Sequence, residues 1–239
     1  MSGALKHGLA GLGLLLAASG PSLAADGHDM LFGSLLVDQL EHGWRDGHDT
    51  VEWKAQGWIG GDAEKLYLKT EGEYVQDNTV EKAEVQLLYS RMIADFWDVQ
   101  AGIRHDFRPD DPSRTYGVFG FQGLAPYVIE VDASLFVSEK GNVSARFEAE
   151  HDILITQRLI AQPKLEVSAA LQEVEELGIG SGLNDIELGF RVRYEITRKF
   201  APYIGVSWSR SLGNTADFAR AEGEDVDNLA FLTGIRFAF

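Results

Sequence analysis

From Leu31 to Phe239 the chain falls into segments of about ten residues in which apolar and polar side chains alternate. A period of two is the pattern of a strand whose faces meet different surroundings. In Asp185 to Ile196, one face carries Ile186, Leu188, Phe190, Val192, Tyr194 and Ile196, and the other Asp185, Glu187, Gly189, Arg191, Arg193 and Glu195. Tyr127 to Val137 repeats the pattern, and the last segment sets Leu229, Phe231, Thr233, Ile235, Phe237 and Phe239 against Ala230, Leu232, Gly234, Arg236 and Ala238. Twelve strands are predicted, over 34–43, 50–60, 63–75, 80–91, 95–108, 114–123, 126–138, 141–153, 155–170, 184–197, 199–211 and 227–239.

Alternation suits a soluble sandwich as well as a membrane barrel, because either can bury one face. The connections separate the two. Those after even-numbered strands are short, as at Gly60-Gly61-Asp62, Leu124-Ala125 and Thr197-Arg198. Those after odd-numbered strands are mostly longer, including RPDDPS (108–113), QEVEELGIGSG (172–182) and GNTADFARAEGEDV (213–226). An even strand count with short turns on one rim and long loops on the other is the outer-membrane arrangement. The final strand ends in Phe239, as such barrels typically do. Aromatic girdles are expected from Trp58, Phe96, Trp97, Tyr127 and Phe200 at the short-turn rim, and from Tyr74, Phe136 and Trp208 at the other. The fold class is therefore an all-β antiparallel transmembrane β-barrel of about 12 strands, placed in the outer membrane.

Composition sharpens this. Residues 1–24 read as a signal peptide: Lys6 and His7, then the apolar run Gly8 to Ala18, then Ser22-Leu23-Ala24 before the cut. Residues 25–33 follow as a short periplasmic stub, and 34–239 form the barrel. No cysteine occurs, which excludes disulfides, thiolate metal sites, cysteine nucleophiles and a lipoprotein anchor. The net charge of −16 argues against nucleic acid as a partner. A mean hydropathy of −0.12 excludes a bundle of membrane helices but not a barrel, which shows lipid only every second residue.

With the apolar faces on lipid, the alternate positions line the lumen, and they are densely charged: Glu52, Glu71, Glu73, Glu84, Asp98, Asp106, Glu130, Asp132, Glu148, Glu150, Glu166, Glu187 and Glu195 against Lys54, Lys65, Lys69, Arg104, Arg146, Arg158, Lys164, Arg191, Arg193 and Arg236. Such charges must pair or be wetted. Their acidic excess favours cations over anions.

Several stretches resemble the copper resistance protein B family of Gram-negative outer membranes: EWKAQGWIGGDAEKLYLKTEGE (52–73), VQLLYSRMIADFWDVQAGIRHDFRP (85–109), RTYGVFGFQGLAPY (114–127), EVDASLFVSEKGNVSARFEAEHD (130–152), GIGSGLNDIELGFRVRYEI (178–196) and FAPYIGVSW (200–208). The resemblance covers about 35–239 and implies copper tolerance, copper binding, and work alongside a periplasmic multicopper oxidase. Family members often carry a Met- and His-rich periplasmic arm. Here only Gly27-His28-Asp29-Met30 corresponds to it, and after Met1 the chain has just Met30 and Met92.

Copper ligands must then come from few places. His42, His48 and Asp49 flank the first outer loop and offer two imidazoles and a carboxylate, while His28 and Met30 stand at the periplasmic entrance. His105 and His151 fall on lipid-facing positions near the rims. The leading expectation is an outer-membrane barrel that contributes to copper tolerance by binding copper or exporting it. The alternative is a general cation-favouring small-solute channel without selective metal binding. An enzyme is not expected, since Ser90 and Ser134 lack evident His and carboxylate neighbours.

Overall fold

The computed structural model describes residues 31–45, 49–75, 79–108 and 112–239. The expected signal peptide and most of the stub lie outside the described residues. The strands are β1 (Phe32–Trp44), β2 (Asp49–Gly60), β3 (Glu64–Val75), β4 (Thr79–Ala94), β5 (Trp97–Phe107), β6 (Arg114–Ala125), β7 (Ile129–Ser138), β8 (Val143–His151), β9 (Ile153–Leu154), β10 (Leu159–Ala170), β11 (Gly182–Tyr194), β12 (Phe200–Ser211) and β13 (Asp227–Ala238).

Apart from β8 and β9, strands adjacent in sequence pair antiparallel, and β13 pairs back onto β1 from Leu36↔Ala238 to Trp44↔Phe231. Both β8 and β9 pair with β10, so they are one stave interrupted at Asp152. The result is a closed antiparallel barrel of twelve staves, each with a neighbour on both sides.

The alternation sorts as expected. Leu66, Leu68, Leu87, Ile103, Phe119, Leu135, Leu188, Ile204 and Phe231 stand exposed on the outer wall. Glu41, Glu84, Gln100, Arg104, Lys164 and Arg191 are buried inside. The start of β1, the C-terminal Phe239 and the short turns at 61–63, 95–96, 126–128, 155–158 and 195–199 share one rim. The opposite rim carries the two longest connections, one holding a 3₁₀ turn (Glu175–Leu177) and the other helix α1 (Gly213–Glu222). Its connection after β7 is only the tight Glu139–Asn142 turn.

Two expectations change, and one feature is added. Trp58 and Phe136 are not girdle residues: Phe136 is buried with Tyr67, Leu88, Tyr116 and Val118 in a cluster inside the barrel, and Trp58 packs against it. They sit at even positions of β2 and β7, which carry Lys54 and Asp132 into the lumen, so parity places them there too. Arg158 is not a lumen residue. The stave predicted over 155–170 begins at Leu159, and Arg158 is exposed in the rim turn. Finally, Asp38 and Glu41 face inward. Val37 pairs with Ala55 and Gln39 with Lys54, so Asp38 is the extra residue of a β-bulge that shifts the inward parity from even to odd. The remaining girdle positions point outward, with Phe96 and Tyr127 strongly exposed at the short-turn rim.

Candidate functional site: the charged lumen

Inward positions of the staves build three groups of charges. In the first, Arg104 (β5) is clamped by Glu84 at 2.7 Å and by Asp106 at 2.6 Å, and its guanidinium lies 4.6 Å from the Phe136 ring centre. Charge-assisted pairing and cation–π contact together satisfy an arginine that is almost fully enclosed.

The second group crosses the lumen. Arg146 (β8) reaches Glu71 (β3) at 2.6 Å and Glu84 (β4) at 3.0 Å. Lys54 (β2) donates to Glu148 (β8), and Lys69 (β3) to Asp132 (β7) at 2.8 Å. Counting staves, β2 and β8 are six apart in a ring of twelve, which makes them opposite walls. The lumen is therefore pinched between the β2–β4 wall and the β7–β8 wall.

The third group lies flat against the wall of β11–β13 and β1. Arg191 makes two bonds to Glu41, at 2.6 and 3.0 Å, and the Tyr203 hydroxyl donates to the same carboxylate at 2.9 Å. Inward glycines make room for it. A Cβ on Gly234 would stand 2.5 Å from the Tyr203 ring, and one on Gly205 would stand 3.0 Å from Arg191.

Between these groups lies a cavity of about 690 Å³. It runs from the short-turn rim, at Met92, Asp95 and Asp98, up to Glu71, Glu84 and Arg146. None of its described lining residues belongs to a long-loop connection. Nine carboxylates (Asp38, Glu71, Glu84, Asp95, Asp98, Glu130, Asp132, Glu148 and Glu150) face five cations (Lys54, Lys65, Lys69, Arg146 and Arg236) around it. Met92, at the mouth, places a thioether beside Asp95 and Asp98. Its place at the mouth follows from the β4–β5 turn rather than from any spacing in the sequence.

On the opposite rim, Glu176 accepts from Arg114 (β6) at 2.6 Å and from Lys140 at 3.0 Å, tying loop 171–181 across to the start of β6 and the β7–β8 turn. The Lys140 hydrogen bond and charge, with Arg114 adding to them, hold the Glu176 carboxyl below the ordinary carboxylate value. Asn184 holds the same loop to α1 by donating to Gly180 O at 2.6 Å and to Thr215 Oγ1 at 2.8 Å.

Of the candidate copper ligands, the structure brings His42 and Asp49 together, with Nε2 and Oδ2 3.4 Å apart at the outer end of the β1–β2 hairpin. His42 also stacks edge-on to Trp44. Both lie on the outward face, since Leu40 and Trp44 flank His42 there. His48, His28 and Met30 lie outside the described residues. Among the described residues no three of His, Cys, Asp and Glu gather as a metal cluster. His105 shares a 2.9 Å hydrogen bond with Thr115, and His151 donates to Val128 O at 3.3 Å, both near the rims. Ser90 and Ser134 each donate to a lumen carboxylate, Asp98 and Asp132, rather than to an imidazole.

A closed barrel of twelve staves, apolar outside and charged within, is an outer-membrane β-barrel. Solved porins share the fold: a KdgM porin (TM-score 0.53, 10% identity, 86% of this chain and 99% of that one) and a NanC porin (TM-score 0.57, 15% identity, 85% and 98%). Residues 31–239 match the family described as copper resistance protein B precursor (CopB). Copper resistance protein B of Escherichia coli is 46% identical over 213 residues, 89% of this chain and 71% of that protein. A copper resistance protein B homolog of Pseudomonas syringae pv. tomato is 44% identical over 215 residues, 89% and 72%. The chain belongs to the copper resistance protein B family, its place is the outer membrane, and its role lies in copper resistance. Family and fold together suggest a non-enzymatic protein.

Proposed function

We propose that the protein lowers copper stress by taking copper ions from the periplasm into its acidic lumen, either to hold them or to pass them outward. The excess of nine carboxylates over five cations around a 690 Å³ cavity at the periplasmic rim carries this reading, since a focused negative field concentrates cations. Met92, Asp95 and Asp98 at the mouth offer one soft and two hard donors, suited to copper in either oxidation state. His42 with Asp49, joined by His48, is proposed as an outer contact for the same ion, and His28 with Met30 as a periplasmic one. A periplasmic multicopper oxidase is the proposed partner on the side where the cavity is lined.

Deleting the protein should raise copper sensitivity, and the purified barrel should bind copper ions. Unchanged sensitivity together with no measurable affinity would overturn the proposal. The second reading is a general cation-favouring channel, favoured by the engagement of so many lumen carboxylates with Lys and Arg. It predicts a bilayer current that copper neither blocks nor enhances.

A further inference from the structure

Of the contacts that cross the lumen, Lys54 with Glu148 and Arg146 with Glu71 and Glu84 share a property: each of their members has a second charged partner on its own wall. Lys54 is the direct cross-strand neighbour of Glu71 in the β2–β3 ladder. Arg146 stands 3.6 Å from Glu166 on the adjacent β10. Glu148 stands 3.6 Å from Lys164, also on β10, and Glu84 is held by Arg104 at 2.7 Å. The five charges therefore have two complete pairings, one across the lumen and one along the walls. An ion pair opened in a poorly solvated interior is costly when it leaves a charge alone. Here the alternative pairing leaves none alone, so exchange between the two is a low-cost, discrete transition.

We propose that this set is a gate. With Lys54 on Glu148 and Arg146 on Glu71 and Glu84, the β2–β4 and β7–β8 walls are tied together and the lumen is shut above the periplasmic cavity. When Lys54 turns to Glu71 and Arg146 to Glu166, these ties across the lumen are released while Lys69–Asp132 stays in place, and a path opens past Phe136. A cation arriving from the cavity promotes this change, because it competes with Lys54 and Arg146 for the same carboxylates. Its use for copper rests on the function proposed above, but the gate itself is a property of the barrel and is tested without copper.

The test is single-channel recording of the purified full chain in planar bilayers in potassium chloride. Heat-modifiable mobility on gels verifies that each variant is folded. The wild type should show small, intermittent currents. Lys54→Ala combined with Arg146→Ala should raise the mean current several-fold, and Lys54→Ala alone, which leaves Glu148 with Lys164, should raise it less. Arg210→Gln, at the outer rim, should behave as wild type. Glu166→Gln removes the open-state partner of Arg146 and should lower the open fraction. A wild-type barrel that already conducts as steadily as the double variant, or a folded Lys54→Ala, Arg146→Ala double variant that conducts no more than wild type, would overturn the gate. A confirmed gate with unchanged copper sensitivity on deletion would leave it standing and reject only the copper reading.

Discussion

Lys54 on β2 donates a hydrogen bond to Glu148 on β8, and the two strands stand on opposite walls of the barrel. A pair placed like this braces the barrel across its width. Glu148 also stands 3.6 Å from Lys164, whose side chain is almost wholly enclosed and which pairs more closely with Glu166 at 3.0 Å. Replacing Glu148 by Leu removes one partner from each of two lysines, leaving Lys164 with Glu166 and Lys54 beside Glu71, and should destabilise the barrel by about 2 kcal/mol. Lys54→Met leaves Glu148 with Lys164 and should cost about 1 kcal/mol. Urea unfolding in lipid vesicles, followed by tryptophan fluorescence, measures both, and equal losses would contradict the asymmetry.

The Arg191–Glu41–Tyr203 group is almost fully enclosed, with side-chain exposures of 4% for Arg191 and 1% for Glu41. Glu41→Leu leaves a guanidinium without its counter-charge and should cost about 3–5 kcal/mol. Tyr203→Phe removes one hydrogen bond to a charged group and should cost about 1.5 kcal/mol. The same unfolding measurement ranks the two, and a larger loss for Tyr203→Phe would show that the carboxylate is not the centre of the group.

Gly234 tests the room beneath that group. A methyl group there would stand 2.5 Å from the Tyr203 ring and 2.8 Å from the Glu41 Cβ, so both must shift. Gly234→Ala should cost about 1–3 kcal/mol. Gly61, which has open space around its Cβ position, should tolerate Ala with little change in the unfolding midpoint.

Glu176 gives the outer loop a pH dependence. Its carboxyl is held below the ordinary value of 4.5, chiefly by Lys140. A depressed folded value means that the contact contributes fully above the ordinary value and is lost as pH falls through the lower, folded one. Amides of loop 171–181 should therefore stay protected from hydrogen exchange at pH 6 and lose protection only in stronger acid. Glu176→Gln should lose most of that pH response, and raising the salt concentration should weaken the contact because Glu176 and Lys140 are both exposed.

The His42–Asp49 contact predicts copper(II) affinity at the outer hairpin. His42→Ala should weaken copper(II) binding about tenfold or more, as expected for loss of one donor to a metal. Met92→Leu should weaken copper(I) and leave copper(II) nearly unchanged, since a thioether favours the softer ion. Titration of the purified barrel with each ion distinguishes the two ends of the molecule.

Much of this architecture was legible along the chain. The predicted stave over 184–197 is β11 to within three residues, and the inward set Glu187, Arg191 and Arg193 follows from parity alone. Parity failed where it was broken locally. Asp38 and Glu41 were missed because a one-residue bulge reverses the faces of β1, and nothing in LLVDQLEHGW marks the extra residue. Trp58 and Phe136 were placed in girdles because aromatic character outweighed their inward parity. They lie inside because Lys65 and the Arg104 and Arg146 guanidiniums cover their rings. Among the copper candidates, the approach of His42 to Asp49 was foreseeable from a hairpin, whereas Met92 at the cavity mouth was not.

The sequence by itself determined that this chain forms two-faced strands, that they are even in number, and which side chains face water rather than lipid. Those properties depend on alternation, which is local. Only closure of the barrel decided which charges meet, because Lys54 and Glu148 are 94 residues apart and their meeting depends on the ring size and on the slant of the staves. The charged alphabet of the lumen is therefore written along the chain, and the pairing that shuts or opens it exists only in the closed ring.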